Sequence, residues 1–241
     1  IDIIVQQPAC ARFMMRHLYN FFVADEPEVP KWPDVPARDP VAIDLLSEVF
    51  VESGYEMKPV LRTLFNSDFF KEAMYQKVKS PVEVVVGTLK LTGDLEGPDP
   101  RWGEIIDETA SMGQDILNPP SVEGWHTGKE WINSGALINR VNFVADRVRD
   151  TDLPGVKDII KNVSLNVSFE ESEVSSEEFV NRCLDQMGPL KVKDEVHAEL
   201  VAHVGADGPI SLPTDGNDLE FEKRVADLLA LIAGTKEYQF A

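Results

Sequence analysis

The chain has 241 residues, of which 43% are hydrophobic, and this is sufficient for a packed core in one large domain or two smaller ones. Its 42 Asp and Glu outnumber 23 Lys and Arg, which gives a net charge of -19. So acidic a chain repels nucleic-acid phosphates and anionic lipids, which argues against functions that require either partner. No run of 18 apolar residues occurs, so we predict no membrane insertion.

The N-terminal segment looks like the end of a helix that began further upstream. The residues IDIIVQQPACARF include no initiating Met and lack the basic, apolar and cleavage regions of a signal peptide. We therefore expect this chain to be the C-terminal part of a longer precursor. Any export signal would lie upstream of it.

Helical periodicity dominates the first half of the chain. Pro8 predicts the first turn of a long helix to about Ala24, with His17 as a hydrogen-bonded structural residue in its apolar stripe. Caps, prolines and glycines predict five more helices. These run from Pro40 to Gly54, Lys58 to Phe65, Asp68 to Gln76, Pro81 to Gly93 and Trp102 to Met112.

Four regularly spaced prolines lie between the helix that begins at Pro8 and the helix that begins at Pro40. Pro27, Pro30, Pro33 and Pro36 recur every third residue, which is the period of polyproline II, so they would lie on one edge of an extended strand. We interpret the segment as an ordered strap over the protein's own helices, because Trp32 would otherwise be exposed. The alternative is a recognition peptide for an aromatic groove.

The most irregular segment runs from residue 111 to residue 143, with the sequence SMGQDILNPPSVEGWHTGKEWINSGALINRVNF. Its double proline excludes helix, whereas Thr127 to Glu130 reads as a capping box. The spacing after Asn133 predicts an amphipathic helix to about Arg149. We expect this Trp/Gly/Pro loop to be clamped between helices at 101–117 and 134–149.

Candidate binding residues concentrate in this loop, which supplies stacking faces, a group that titrates near neutrality and a fixed cation. They are Gln114, Trp125, His126, Trp131, Asn133 and Arg140, to which the strap adds Trp32. Such a set suits a sugar-like or aromatic ligand, or a general base at His126. In the structural alternative, both Trp fill the core, Asn133 caps a helix and Arg140 binds loop carbonyls.

We predict no metal and no cofactor from the remaining motifs. Glu195, Glu199 and His203 follow one another at four-residue steps, which is also the ordinary layout of a solvated helix face. The phosphate-loop-like run from Gly124 to Glu130 is one residue short and ends in Glu where magnesium binding needs Ser or Thr. Cys10 and Cys183 occur in no CxxC or Cys/His cluster, which favours two core thiols over one long-range disulfide.

The composition changes beyond Asp150, since residues 151–241 contain 8 Lys and Arg against 18 Asp and Glu. We predict a main helical domain at 1–150 and a smaller acidic helical subdomain at 151–241 packed on it. Alternation from Val163 to Phe169 predicts an edge strand or an extended loop. Three helices are predicted in this part: one capped by Ser175 that ends at Gly188, one from about Val192 to Val204, and a last one that follows the loop at 205–216 and ends at Gly234. The fold class is all-α, an irregular multi-helix array with the strap and the Trp loop.

Four blocks of the sequence resemble the bacterial family called domain of unknown function 1800. The central block MGQDILNPPSVEGWHTGKEWINSGALINRVNF is similar to the family pattern GQPLFxPPNVAGWPGGxxWINxxxLLxRxNF. The other three are PACARFMMRHLYNFFV, KVKSPVEVVVGTLK and FEKRVADLLALIAGTKEYQFA. Matching motif positions are Gly113, Gln114, Pro119, Pro120, Gly124, Trp125, Trp131, Ile132, Asn133, Arg140 and Phe143. Gln7 and His126 depart from the family, which often has His and Pro there.

The resemblance implies a largely helical protein exported by bacteria, periplasmic or secreted, often encoded beside a second family called domain of unknown function 1501. It also implies that an N-terminal helical half precedes this sequence. Our first hypothesis is a non-enzymatic binding or scaffold component of an extracytoplasmic complex with a protein partner. The alternative is a hydrolase or a carbohydrate-active enzyme with its site at the Trp125/Trp131 loop.

Overall fold

A computed structural model of the chain describes residues 2–95, 97–165, 173–188, 190–213 and 218–241. Thirteen α-helices account for most of this described part, and its only sheet pairs strand β1 (Glu173–Val174) with strand β2 (Ile210–Ser211), antiparallel. The predicted all-α class is confirmed. Within the described ranges, no helix has both the length and the apolar character needed to cross a membrane.

The chain separates into two compact units. Unit 1 contains residues 1–78, 126–130 and 241, and unit 2 contains residues 79–125 and 131–240. The sequence-based boundary at residue 150 stays a prediction.

Unit 1 is built on two packed helices, α2 and α3, with shorter helices before and after them. Its α-helices are α1 (Asp2–Val5), α2 (Pro8–Phe22), α3 (Pro40–Glu52), α4 (Met57–Asn66) and α5 (Asp68–Lys71). Met15 of α2 and Ile43 and Leu46 of α3 are at most 1% exposed at the centre of its core. The Asp39 side chain caps α3 by accepting a hydrogen bond from the Ala42 amide at 3.0 Å, as the sequence predicted.

Helix α5 is shorter than predicted. It begins at the Ser67 cap but ends at Lys71, not near Gln76. Tyr75 adopts a left-handed backbone conformation with φ of 61°, which an α-helix cannot contain. The apolar residues Phe69 and Phe70 do not indicate in the sequence that the helix ends here.

The strap is folded, so the prediction of an extended polyproline strand is wrong. Residues Val29–Lys31 form a 3-10 turn, and backbone hydrogen bonds from Asp34 and Val35 to the Lys31 carbonyl continue the bend. The Arg16 guanidinium stabilises this bend, because it donates hydrogen bonds to three strap carbonyls. A straight strand could not bring them to one point.

Unit 2 has α8 and α12 at its centre. Its helices are α6 (Pro81–Thr92), α7 (Trp102–Ser111), α8 (Ser134–Arg149), α9 (Pro154–Leu165), α10 (Ser176–Gln186), α11 (Asp194–Ala206), α12 (Leu219–Ala233) and α13 (Lys236–Gln239). Val144 and Val148 of α8 and Val225 and Leu229 of α12 are fully buried. The predicted capping box at the start of α6 is confirmed, with Ser80 and Glu83 bonding reciprocally.

Helix α9 includes the start of the segment that was predicted, from Val163 onward, to be an edge strand or an extended loop, and its first nine residues had no predicted structure. Val156, Ile159, Ile160 and Val163 form its buried face at helical spacing. Gly155 packs so closely that a Cβ there would lie 2.2 Å from the Leu91 carbonyl oxygen. Alternation over 163–165 was therefore coincidental, while 166–169 lies outside the described residues.

Candidate functional site

Two motif residues of unit 2 bind the first turns of helices. The Asn133 side chain accepts a hydrogen bond from the Ala136 amide at 3.1 Å and caps α8. Gln114 uses its Oε1 to accept a hydrogen bond from the Val82 amide at 3.0 Å, in the first turn of α6. The structural interpretation of Asn133 is therefore confirmed, and Gln114 has a comparable role.

Arg140 is fully buried in unit 2 and joins chain segments that are distant in sequence. It donates from Nε to Gln239 Oε1 at 2.9 Å and from Nη2 to the Lys79 carbonyl at 2.7 Å and the Gln239 carbonyl at 3.4 Å. Among the described residues its Nη1 meets no acceptor. Because burial disfavours the charged form, the pKa of Arg140 falls to about 10.

The two Trp of the central loop have different environments. Trp131 is 8% exposed, and the left-handed backbone of Gly113 lies against its ring. Trp125 is half-buried and donates from Nε1 to the Asp115 carbonyl at 2.9 Å. Only Trp125 therefore offers part of its ring to solvent.

The part of the central loop that precedes Trp125 exposes apolar side chains. Leu117 is 90% exposed, and Val122 is as exposed as in an extended chain. Leu117 also has a φ of 65°, a conformation that costs a branched residue about 1 kcal/mol or more. Neither packing nor backbone geometry within the described chain explains an exposed leucine in this strained position.

In unit 1, Trp32 forms the end of an aromatic stack. Its ring lies 4.6 Å from the His17 ring and 5.4 Å from the Phe13 ring, while the Arg16 guanidinium sits 4.5 Å from its centroid. Trp32 Nε1 donates to the Pro27 carbonyl at 2.6 Å. Burial lowers the pKa of His17. The strap thus packs on α2, and the interpretation of Trp32 as a strap residue over the protein's own helices is confirmed.

Arg16 fixes the position of this aromatic stack. It donates from Nε to Glu26 Oε2 at 2.8 Å, and the Glu26 side chain is fully buried. The remaining guanidinium nitrogens donate to the carbonyls of Trp32, Val35 and Pro36 at 3.1–3.4 Å. A buried, charge-paired guanidinium therefore fixes the bend of the strap.

A groove of about 420 Å³ opens between α2, the strap and α3. Its walls are mainly apolar and aromatic, with arginine at two points. The lining residues are Arg12, Phe13, Arg16, Val29, Trp32, Pro33, Pro36, Ala37, Pro40 and Ile43. This volume is in the range of pockets that take a small ligand or a peptide side chain. Phe13 at the rim is 47% exposed.

The last candidate, His126, lies in unit 1 beside two carboxylates. Its Nδ1 is 2.8 Å from Glu130 Oε2 and 3.3 Å from Glu28 Oε1. The hydrogen bond between the two carboxyl groups lowers the pKa of Glu28 and raises that of Glu130. One oxygen of each Glu and the imidazole nitrogen all lie within 4.8 Å of one another, which is the spacing of metal ligands.

Residues 126–130 pack closely against the Asp25 side chain. Gly128 has a φ of 63°, and a Cβ there would lie 3.2 Å from Asp25 Cγ. Asp25 is itself fixed, since its Oδ2 accepts a hydrogen bond from the Val78 amide at 2.8 Å. This contact places the two ends of the segment, His126 and Glu130, beside Glu28.

The sequence indicates single candidate residues but not their grouping. The i,i+4 spacing of His126 and Glu130 is visible in the sequence, but Glu28 lies 98 residues away and carries no local signal. The groove was missed for the same reason, because its walls come from three segments. In unit 2, by contrast, Gln114, Asn133 and Arg140 each bind a different backbone segment, so their polar atoms do not converge. Ligand binding by these three residues stays a prediction.

The fold and its contacts define an all-helical protein whose loops are tied by buried arginines. The family described as protein of unknown function (DUF1800) matches residues 1–240 of the chain. The chain belongs to this family, as its sequence blocks had indicated. No curated protein matches the chain. No solved structure matches it either.

Proposed function

We propose that this protein is a non-enzymatic binding component of an extracytoplasmic bacterial complex, and that it holds an apolar segment of a protein partner in the Trp32 groove. The observation that carries the proposal is the groove itself: an open, aromatic- and proline-lined slot whose wall is fixed before any partner arrives. Grooves of this kind accept extended, proline-containing or apolar peptide segments.

The rigidity of the groove supports binding. Arg16 is paired with Glu26 and donates hydrogen bonds to three strap carbonyls. The Trp32 wall is therefore ordered already and loses little conformational entropy when a partner binds. A preorganised site avoids part of the entropy cost of association. The exposed rim residues Phe13 and Val29 provide apolar area around the slot.

The free energy available from the groove indicates that it is not the whole interface. Burying one Leu- or Phe-sized side chain contributes about 1.5–3 kcal/mol, whereas micromolar affinity requires about 8 kcal/mol. A stable complex therefore needs a second contact.

The partner and location follow from the family resemblance and remain part of the proposal. A protein of the family called domain of unknown function 1501 is the first partner to test, since the two families are often encoded together. Export by a bacterium would place the complex in the periplasm or outside the cell. The net charge of -19 favours a partner with a neutral or basic contact surface.

The test uses two strap valines as a matched pair. Val29 and Val35 are 40% and 37% exposed, but only Val29 lines the groove. We expect Val29→Asp to reduce recovery of a stoichiometric companion about tenfold or more in a native purification, because a charge would have to be buried in the interface. Val35→Asp should recover the companion normally.

A photocrosslinking residue at Phe13 should join to the same companion, whereas one at Glu195 should not. Circular dichroism of both valine variants verifies that the fold is intact. Equal recovery with Val29→Asp and Val35→Asp, or a protein that purifies alone and crosslinks to nothing, would contradict the proposal.

A further inference from the structure

We infer that Glu28, His126 and Glu130 form a binding site for a divalent first-row transition metal ion. This inference goes beyond the proposed function and does not depend on it. It rests on three donor atoms of unit 1 that come from two segments and point at one place.

The distances fit metal coordination. In a tetrahedral site with bonds of about 2.1 Å, neighbouring ligand atoms are separated by about 3.4 Å. The His126 nitrogen lies 2.8 Å from the Glu130 oxygen and 3.3 Å from the Glu28 oxygen, and all three atoms are within 4.8 Å of one another. An ion can therefore enter with small side-chain rotations and no movement of the backbone.

The donor types select the class of ion. An imidazole nitrogen with two carboxylate oxygens suits Zn²⁺, Co²⁺ or Mn²⁺, whereas Ca²⁺ and Mg²⁺ prefer oxygen ligands alone. All three side chains are at least one-third exposed, so water can complete the coordination and the ion can enter from solvent. Exposure of this kind predicts an affinity near micromolar, not that of a closed structural zinc site.

Lys31 contacts the cluster, and its position is compatible with a metal. Its Nζ lies 3.4 Å from Glu28 Oε2, while the other oxygen, Oε1, faces His126. The lysine side chain is 61% exposed and can move into water when an ion binds. Glu28 can thus bind a metal ion through Oε1 and Lys31 through Oε2.

The cluster is held together by the fold and not only by its own charges. His126 and Glu130 lie at the two ends of a segment that packs closely against Asp25 at Gly128, where a Cβ would lie 3.2 Å from Asp25 Cγ. Helix α11 provides the contrast. Glu195, Glu199 and His203 have the same residue types, yet among the described residues only the Glu28 cluster brings three such donors together.

The experiment titrates the chelator-treated protein with Co²⁺ and Zn²⁺ by calorimetry, and records the visible absorption of bound Co²⁺. We expect one ion per chain with a dissociation constant in the micromolar range, and absorption bands that report nitrogen and oxygen ligands. His126→Ala and Glu28→Gln should each weaken binding about tenfold or more. His203→Ala, the matched control on α11, should bind like the wild type.

Two results would overturn the inference. One is binding that is unchanged in His126→Ala and Glu28→Gln, which would locate the ion elsewhere. The other is no uptake at millimolar metal, which would mean that the cluster is an ion pair only. Because all three side chains are partly exposed, circular dichroism should show that the variants fold, so loss of binding reports the site itself. Companion recovery of the same variants distinguishes this inference from the proposed function.

Discussion

Each of the two units contains a buried arginine that ties distant backbone together, but the two differ in their counterions. Arg16 in unit 1 is paired with the fully buried carboxylate of Glu26, and it borders an open groove. Arg140 in unit 2 binds carbonyl and amide oxygens, and no carboxylate of the described ranges is among its hydrogen-bond partners. Burial accordingly lowers the pKa of Arg140 to about 10.

The difference indicates two uses of the same side chain. At Arg16, the ion pair with Glu26 stabilises a charged guanidinium beside a surface that is accessible to a partner or a ligand. At Arg140, the guanidinium serves as a set of fixed hydrogen-bond donors in the closed interior, where each carbonyl would otherwise be unsatisfied. The motif arginine Arg140 thus binds backbone and amide oxygens inside unit 2, whereas Arg16, outside the central motif, borders the candidate binding surface.

The largest expected effect is that of Glu26→Ala, because it leaves the Arg16 charge buried without its partner. We expect the free energy of unfolding to fall by about 3–5 kcal/mol, measured by urea denaturation with hydrogen exchange of α2 as the local readout. Glu48→Ala, at an exposed position of α3, should change it by less than about 0.5 kcal/mol. A loss at Glu26 no larger than at Glu48 would show that the pair does not organise unit 1.

Arg140→Met should cost less, about 2–4 kcal/mol. It leaves the Lys79 and Gln239 oxygens unpaired, but it also removes a desolvated charge, and Met fills part of the space. Arg149→Met on the same helix is the control, since that side chain is 51% exposed and its ion pair with Asp227 contributes little. A normal unfolding curve for Arg140→Met would favour a ligand-binding role for Arg140.

The smallest expected effect is a pH dependence at His17. Burial lowers its pKa below the ordinary value of 6.5, so between the folded pKa and 6.5 the unfolded chain binds the proton and the folded chain does not. Stability should therefore fall as pH drops through 6.5 and level off below the folded pKa. His17→Phe should lack this dependence when both proteins are unfolded at pH 5.5 and pH 8. Identical pH profiles would mean that the stack on Trp32 does not disfavour protonated His17.

Local signals in the sequence determined most of the helices and their caps. The pairs Asp39 with Pro40 and Ser80 with Pro81 each begin a helix where predicted, and Asn133 begins α8. Such features are predictable because the cap and the amide it binds are only three residues apart. The family was likewise evident from ordered sequence blocks.

Only the tertiary structure decided the bend of the strap, the helical state of 163–165 and the grouping of the site residues. Each depends on contacts between segments distant in sequence: Arg16 with the strap carbonyls, Gly155 with the Leu91 carbonyl, and Glu28 with His126. Local periodicity contains no information about such contacts, because their free energy arises when the chain folds and brings the partners together. The residue types of the groove and of the Glu28 cluster were in the sequence, while their shared location came from the fold.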